Sequence, residues 1–256
     1  MHALGPHDVH LWLTFYDRIA GELDAMRLLL SVAEIERAAR YQGADDRKRH
    51  LVTRALVRTV LSRYAQVAPM DWRFAANAYG RPEIANDAPE AAGLRFNLSH
   101  TRGLIALAVS WRDVGVDVEC VNARPVSPGM AQRFFAPDEA AALARIPAEQ
   151  RQLRFFEYWT FKEAYIKARG RDLTFPLDRF RLDFSGERSV RLAIDPELED
   201  APARWHLAQF RPTPDHVLAL CAERLDGDTP RISLHEVVPT GAPAPYAASL
   251  SRSSAA

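Results

Sequence analysis

The chain has 256 residues, 48% of them hydrophobic and 26% charged, a composition ordinary for a soluble globular protein, with room for one large domain or two small ones. Thirty-three basic residues balance 33 acidic ones, so the chain offers no overall electrostatic case for nucleic acid or an anionic membrane, and any anion site must be local. No apolar run approaches the roughly 20 residues of a membrane helix, and residues 1–6 lack a secretory pattern, so a cytoplasmic protein is expected. Cys120 and Cys221 form no CxxC pair, which disfavours zinc or a redox motif and leaves them as packing residues.

Over residues 9–15, apolar Val9, Leu11, Leu13 and Phe15 alternate with His10, Trp12 and Thr14, the period of a half-buried strand. Ser31 followed by Glu34 is a capping box that predicts a helix reaching Tyr41. A longer helix is expected over 45–65, with Leu56, Val57, Val60, Leu61 and Tyr64 as its inner stripe. The apolar run 104–111 predicts a buried strand, and after Arg112 and Asp113 a second one over 114–119, the two read as a hairpin. Prolines and a glycine mark a loop over 125–130. Helices are predicted near Pro137 and over 148–169, the second stopped by Gly170. Strands return over 190–194, 205–210 and 217–222. Residues 239–256, rich in Pro, Ala, Ser and Gly, are expected to be a disordered tail. This order predicts an α+β architecture in two halves with antiparallel sheets, dividing near Trp111.

Three clusters carry chemistry. In Val114-Gly115-Val116-Asp117-Val118-Glu119 the valines take one strand face, while Gly115, Asp117 and Glu119 share the other. Two carboxylates so placed can converge on a cation, although an acidic solvent face has the same pattern. Trp159, Glu163 and Lys167 fall four residues apart on one helical stripe. That pattern also suits a simple surface ion pair, but the flanking Phe155, Phe156, Tyr158, Phe161, Tyr165 and Ile166 make the helix largely buried and point to a functional cleft. The third cluster is Asn97, Ser99, His100 and Thr101, with Arg81 in a Gly/Pro turn, polar groups suited to hydrogen-bonding a phosphate.

Taken together, five segments resemble the phosphopantetheinyl transferases of the large type that serves peptide and polyketide synthetases. They are Tyr79-Gly80-Arg81-Pro82, Phe96-Asn97-Leu98-Ser99-His100, Gly115-Val116-Asp117-Val118-Glu119, Arg133-Phe134-Phe135 with Glu139, and the run from Trp159 through Lys162, Glu163 and Lys167. The resemblance spans roughly residues 31–180. It implies two similar α+β lobes in a pseudo-twofold arrangement, residues 1–110 and 111–238, with the active site in the cleft between them. It implies coenzyme A as co-substrate, Mg²⁺ (with Mn²⁺ as the alternative) held by Asp117, Glu119 and Glu163, and catalytic roles for Asp117, Glu163 and Lys167. Arg37, Arg49, His50, Arg81, Ser99, His100, Lys162 and Lys167 are then the residues expected to bind coenzyme A. The implied partner is an apo carrier protein, acyl or peptidyl, the implied state a monomer, with Arg124, Val126, Met130 and Arg133 as docking candidates. Glu34 departs from the lysine some members carry, and Glu139 is either a second base, an orienting group or a helix-start acid. A hydrolase of nucleotide pyrophosphates and a coenzyme A-binding module without catalysis are the rival readings.

Overall fold

A computed structural model describes residues 2–184 and 186–255. Strand β1 (Asp8–Thr14) leads to three helices, α1 (Leu23–Arg27), α2 (Val32–Ala39) and α3 (Ala44–Leu61), then to the short strands β2 (Phe74–Ala76) and β3 (Pro82–Ile84), and to β4 (Arg95–Thr101) and β5 (Leu104–Ser110). The chain continues through β6 (Val114–Cys120), α4 (Met130–Phe134), α5 (Pro137–Ala144), α6 (Ala148–Ala168), β7 (Phe180–Asp183) and β8 (Arg191–Ile194). It finishes with β9 (Trp205–Arg211), β10 (His216–Glu223), β11 (Arg231–Glu236), β12 (Ala244–Pro245) and β13 (Ser249–Ser253). Among the described residues no helix is long and apolar enough to cross a membrane.

Local signals set the two helices that matter most to the site. At α2 the Ser31 hydroxyl accepts from the Glu34 amide at 3.3 Å while the Glu34 carboxylate accepts from the Ser31 amide at 2.9 Å, so two amides without helical partners are satisfied reciprocally. Helix α6 stops where Gly170 takes φ +68°, a conformation that costs other residues a steric penalty.

Two sheets stack with a helix on each outer face. The first has strand order β12-β11-β1-β5-β4 and the second β13-β9-β10-β6. Period-two alternation sends Trp12, Ile105 and Leu107 outward to pack with Val52, Leu56 and Val60 of α3. It sends Leu11, Leu13, Ala106, Val116, Val118, Leu218 and Leu220 into a core between the sheets. The remaining face of the second sheet packs Leu207, Val217 and Ala219 against Phe161, Tyr165 and other α6 residues. Gly115 is required there, because a Cβ would lie 2.0 Å from the Ala164 carbonyl oxygen. Helix α6 therefore rests on the β6 backbone itself.

Three expectations need correction. β5 and β6 are not a hairpin. Both edges of β5 are taken by β1 and β4, and β6 crosses to the second sheet to pair with β10. Residues 231–236 do not stay with the second half: β11 lies parallel to β1, Leu234 beside Leu11, and covers an edge that β1 would otherwise expose. The described part of the tail, 239–255, is not wholly irregular. β12 pairs with β11 and β13 with β9, while Tyr246 packs on Phe15 at 5.7 Å and donates its hydroxyl to the Pro212 carbonyl at 2.6 Å. Composition alone misses this because open sheet edges elsewhere in the chain supply the tail with backbone partners.

Candidate active site

Asp117 and Glu119, on the face of β6 turned toward α6, meet Glu163 and Lys167 one helical turn apart on that helix. The Lys167 ammonium lies 2.6 Å from Asp117 Oδ1 and 3.7 Å from Glu163 Oε2. Asp117 Oδ1 also accepts from the Ser99 hydroxyl at 2.8 Å, and Glu119 Oε2 from the Thr101 hydroxyl at 3.3 Å. Asp117 and Glu163 thus share one ammonium, with Glu119 next to Asp117 on the same strand face. Burial first, then the Asp117 charge, pushes the Glu119 carboxyl up to about 7. Burial likewise carries Glu163 to about 7; Lys167 pulls it down while Asp117 and Glu119 push it up. Burial works against the Lys167 charge, but Asp117 and Glu163 outweigh it and hold the ammonium above its ordinary value.

This cluster has one cationic side chain, Lys167, for three carboxyl groups. Asp117 is 4% exposed, and its second oxygen, Oδ2, is buried without a hydrogen-bond partner. Such an oxygen is costly unless a cation or donor arrives. Among the described residues no three carboxyl, imidazole or thiol groups close on a point tightly enough to enclose an ion alone. The unpartnered Asp117 oxygen beside Glu119 and Glu163 fits a hard cation that takes one or two carboxylates and fills the rest of its shell from elsewhere.

Two contiguous grooves lead to the cluster. One of about 490 Å³ is lined by Glu163, Lys167, Arg171 and Leu98. It shares Gly80, Pro82 and Leu98 with a second, of about 1050 Å³, whose walls include Arg37, Arg40, Tyr41, His50, Arg54 and His100. Arg37 is exposed on α2. The His50 ring nitrogen sits 3.1 Å from the Glu34 carbonyl, and burial lowers its proton affinity. His100 is lowered by burial and then by the Arg49 charge. Arg49 itself is held by Asp46 at 2.5 Å and by Asp45 at 3.6 Å.

Other expected residues sit differently. Lys162 does not reach the cleft. It is fully buried, its ammonium 2.8 Å from Glu139 and donating to the carbonyls of Leu177 at 2.8 Å and Phe180 at 2.7 Å. All three ammonium protons are thereby used. Glu139 completes this internal brace by accepting from the Ala136 and Leu182 amides, so it orients the fold and lies outside the carboxylate cluster. The Arg81 guanidinium donates to the Lys167 carbonyl at 2.9 Å, to Phe96 O at 3.3 Å and to Val114 O at 3.4 Å. It binds the end of α6 to β4 and β6 while lining the smaller groove. Glu34 does more than cap α2: its carboxylate pairs with Arg54 at 2.6 Å and Arg58 at 2.9 Å, and against the cost of burial the Ser31 amide first, then these arginines, keep it below the usual carboxylate range.

Residues 18–112 match the profile of the family described as 4'-phosphopantetheinyl transferase, N-terminal, and residues 113–221 that of the 4'-phosphopantetheinyl transferase superfamily. The 4'-phosphopantetheinyl transferase HetI of Nostoc sp. is 34% identical over 218 residues, 83% of this chain and 86% of that protein. This chain belongs to the 4'-phosphopantetheinyl transferase family. The 4'-phosphopantetheinyl transferase Sfp of Bacillus subtilis is 32% identical over 199 residues, 77% of this chain and 84% of its own.

The transferase has groove residues that the sequence analysis passed over. Arg40, Tyr41 and Arg54 line the larger groove. Arg40 stands three residues after Arg37 and Arg54 four after His50, spacings that place each beside its partner on a helix face. The bond from Thr101 to Glu119 was also missed. Its signal is the alternation of Asn97, Ser99 and Thr101 with Leu98 and His100, a period-two pattern that marks β4 as a strand with one polar face.

Proposed function

We propose that this enzyme moves the 4'-phosphopantetheine arm of coenzyme A onto a serine hydroxyl of an apo carrier protein, acyl or peptidyl, and releases 3',5'-ADP in the presence of Mg²⁺ or Mn²⁺. The observation that carries the reading is the meeting of Asp117, Glu119, Glu163 and Lys167 beside a groove lined by Glu163 and Lys167, which is continuous with a larger one walled by Arg37, Arg40, Arg54, His50 and His100. Such a groove suits a phosphorylated nucleotide, with guanidinium forks for phosphate and the rings of Tyr41 and Phe74 for a base.

The serine oxygen attacks the phosphorus that bears the pantetheine arm, a new P–O bond forms, and the P–O bond to 3',5'-ADP breaks with its electron pair leaving on the nucleotide. Most of the catalysis is placement and charge stabilisation. When bound, a divalent cation would neutralise charge on the pyrophosphate, held by Asp117 and Glu119 with Glu163 beside them. Glu163, whose carboxyl titrates near neutrality, is suited to take the serine proton. Lys167 meets the negative charge that grows on the departing nucleotide. His100 faces the larger groove from β4, whereas the expected phosphate contact of Ser99 is replaced by its hydroxyl bond to Asp117, and Arg81 fixes the end of α6 from which Lys167 projects. Residues 1–110 together with β11, and the rest of 111–238, are read as two related lobes, which is supported by the helix packed on the outer face of each sheet; the enzyme is read as a cytoplasmic monomer.

Chromatography of the small-molecule products tests the reaction type. With an apo carrier present, 3',5'-ADP should form in equal amount to loaded carrier. Release of free phosphopantetheine with the carrier unmodified would instead identify a hydrolase.

A further inference from the structure

β4 is the edge of the first sheet and β6 the edge of the second, and the two meet without a backbone ladder. Side chains from β4 take its place. Asn97 Oδ1 accepts from the Val116 amide at 2.8 Å, Ser99 Oγ from the Val118 amide at 3.3 Å, and Thr101 Oγ1 from the Cys120 amide at 3.0 Å. Every second residue of one strand thus serves every second amide of the other, always 19 positions along. These amides are buried, so without the side-chain oxygens they would be left unsatisfied.

The two hydroxyls in this series also donate. A hydroxyl that accepts from an amide has its single proton directed elsewhere. For Ser99 that direction is Asp117 Oδ1, and for Thr101 it is Glu119 Oε2. We propose that Thr101 is a positioning residue, and that its hydroxyl, locked by the Cys120 amide, sets the orientation of the Glu119 carboxylate for cation binding. Asn97 performs the same docking of β6 at Val116 but has no carboxylate to orient, since residue 115 is glycine. The seam between the sheets and the cation site are therefore one construction, in which the first half of the chain aims the carboxylates of the second. Groups that orient a ligand carboxylate in this way influence metal affinity strongly.

The inference rests on reading the cluster as a divalent cation site that uses Glu119. Its test is the affinity of the full-length protein for Mn²⁺ with coenzyme A present, followed by electron paramagnetic resonance of the free ion. Thr101→Val keeps the shape and removes both bonds, and it should weaken Mn²⁺ binding by about tenfold, whereas Thr101→Ser should restore it. Should the valine variant not fold, Thr101→Ala loses the same two bonds without adding bulk and is read the same way. Wild-type affinity in a folded valine or alanine variant would overturn the inference, as would a serine variant as weak as valine. Wild type that binds no Mn²⁺ would remove the cation site itself, a different result from variants that bind like wild type.

Discussion

Lys167 occupies two relationships at once: its ammonium is 2.6 Å from Asp117 and one turn along α6 from Glu163. Its proposed part is charge stabilisation of the leaving nucleotide, so Lys167→Ala should lower kcat by about 10² or more while changing the KM for coenzyme A less, as steady-state kinetics would show. The carboxylates make a separate prediction about stability. Glu119 titrates at about 7 in the folded chain against about 4.3 unfolded, so the folded state binds more protons between those values and loses this stabilisation as pH rises through about 7. His10, which burial holds at about 4, acts in the opposite sense as pH falls. The informative quantity is therefore the difference between Glu119→Gln and wild type. Without added metal, the variant should gain more melting temperature over wild type at about pH 8 than at about pH 5. Asp117 and Glu119, and separately Glu163 and Lys167, were legible as pairs because strand period two and helix spacing of four place them on shared faces; that the two pairs form one site came from the family resemblance. Lys162 was not, because its burial depends on Glu139, on a different helix.

Elements were legible where one pattern governed them, as in β1, α3, β10 and α6. β4 was obscured by the stronger apolar run that follows it, and its polar alternation became meaningful only once β6 lay alongside. The tail was misjudged for a comparable reason. β13 has little hydrophobic content, yet it supplies backbone partners to β9 and buries Arg252, whose guanidinium donates to the Gly186 and Glu187 carbonyls at 3.0 and 2.8 Å. Cutting the chain after Val238 would uncover the β9 edge and remove Tyr246 from the end of the core between the sheets. Calorimetry should show a lower melting temperature, and light scattering a greater tendency to associate through the freed edge. An unchanged melting temperature would mean that the tail adds nothing to the folded state.

In the molecule as a whole, the cleft draws on both halves of the chain. Arg81, Ser99, His100 and the basic wall come from residues before Trp111; the three carboxylates and Lys167 come after it. The side-chain seam from β4 to β6 fixes one set against the other. The sequence disclosed the two sets of residues but not their meeting, because the contact between β4 and β6 is made by side chains and leaves no pairing pattern in either strand. This assembled site is proposed to load a carrier protein from coenzyme A. Such loading is tested most directly by intact-protein mass spectrometry of apo carrier proteins incubated with coenzyme A, Mg²⁺ and either wild type or Glu163→Gln. A mass gain of one phosphopantetheine with wild type, reduced in rate by about 10² or more with the variant, is the predicted result. Wild type that is folded and binds coenzyme A yet modifies no acyl or peptidyl carrier, or a variant as fast as wild type, would contradict the account.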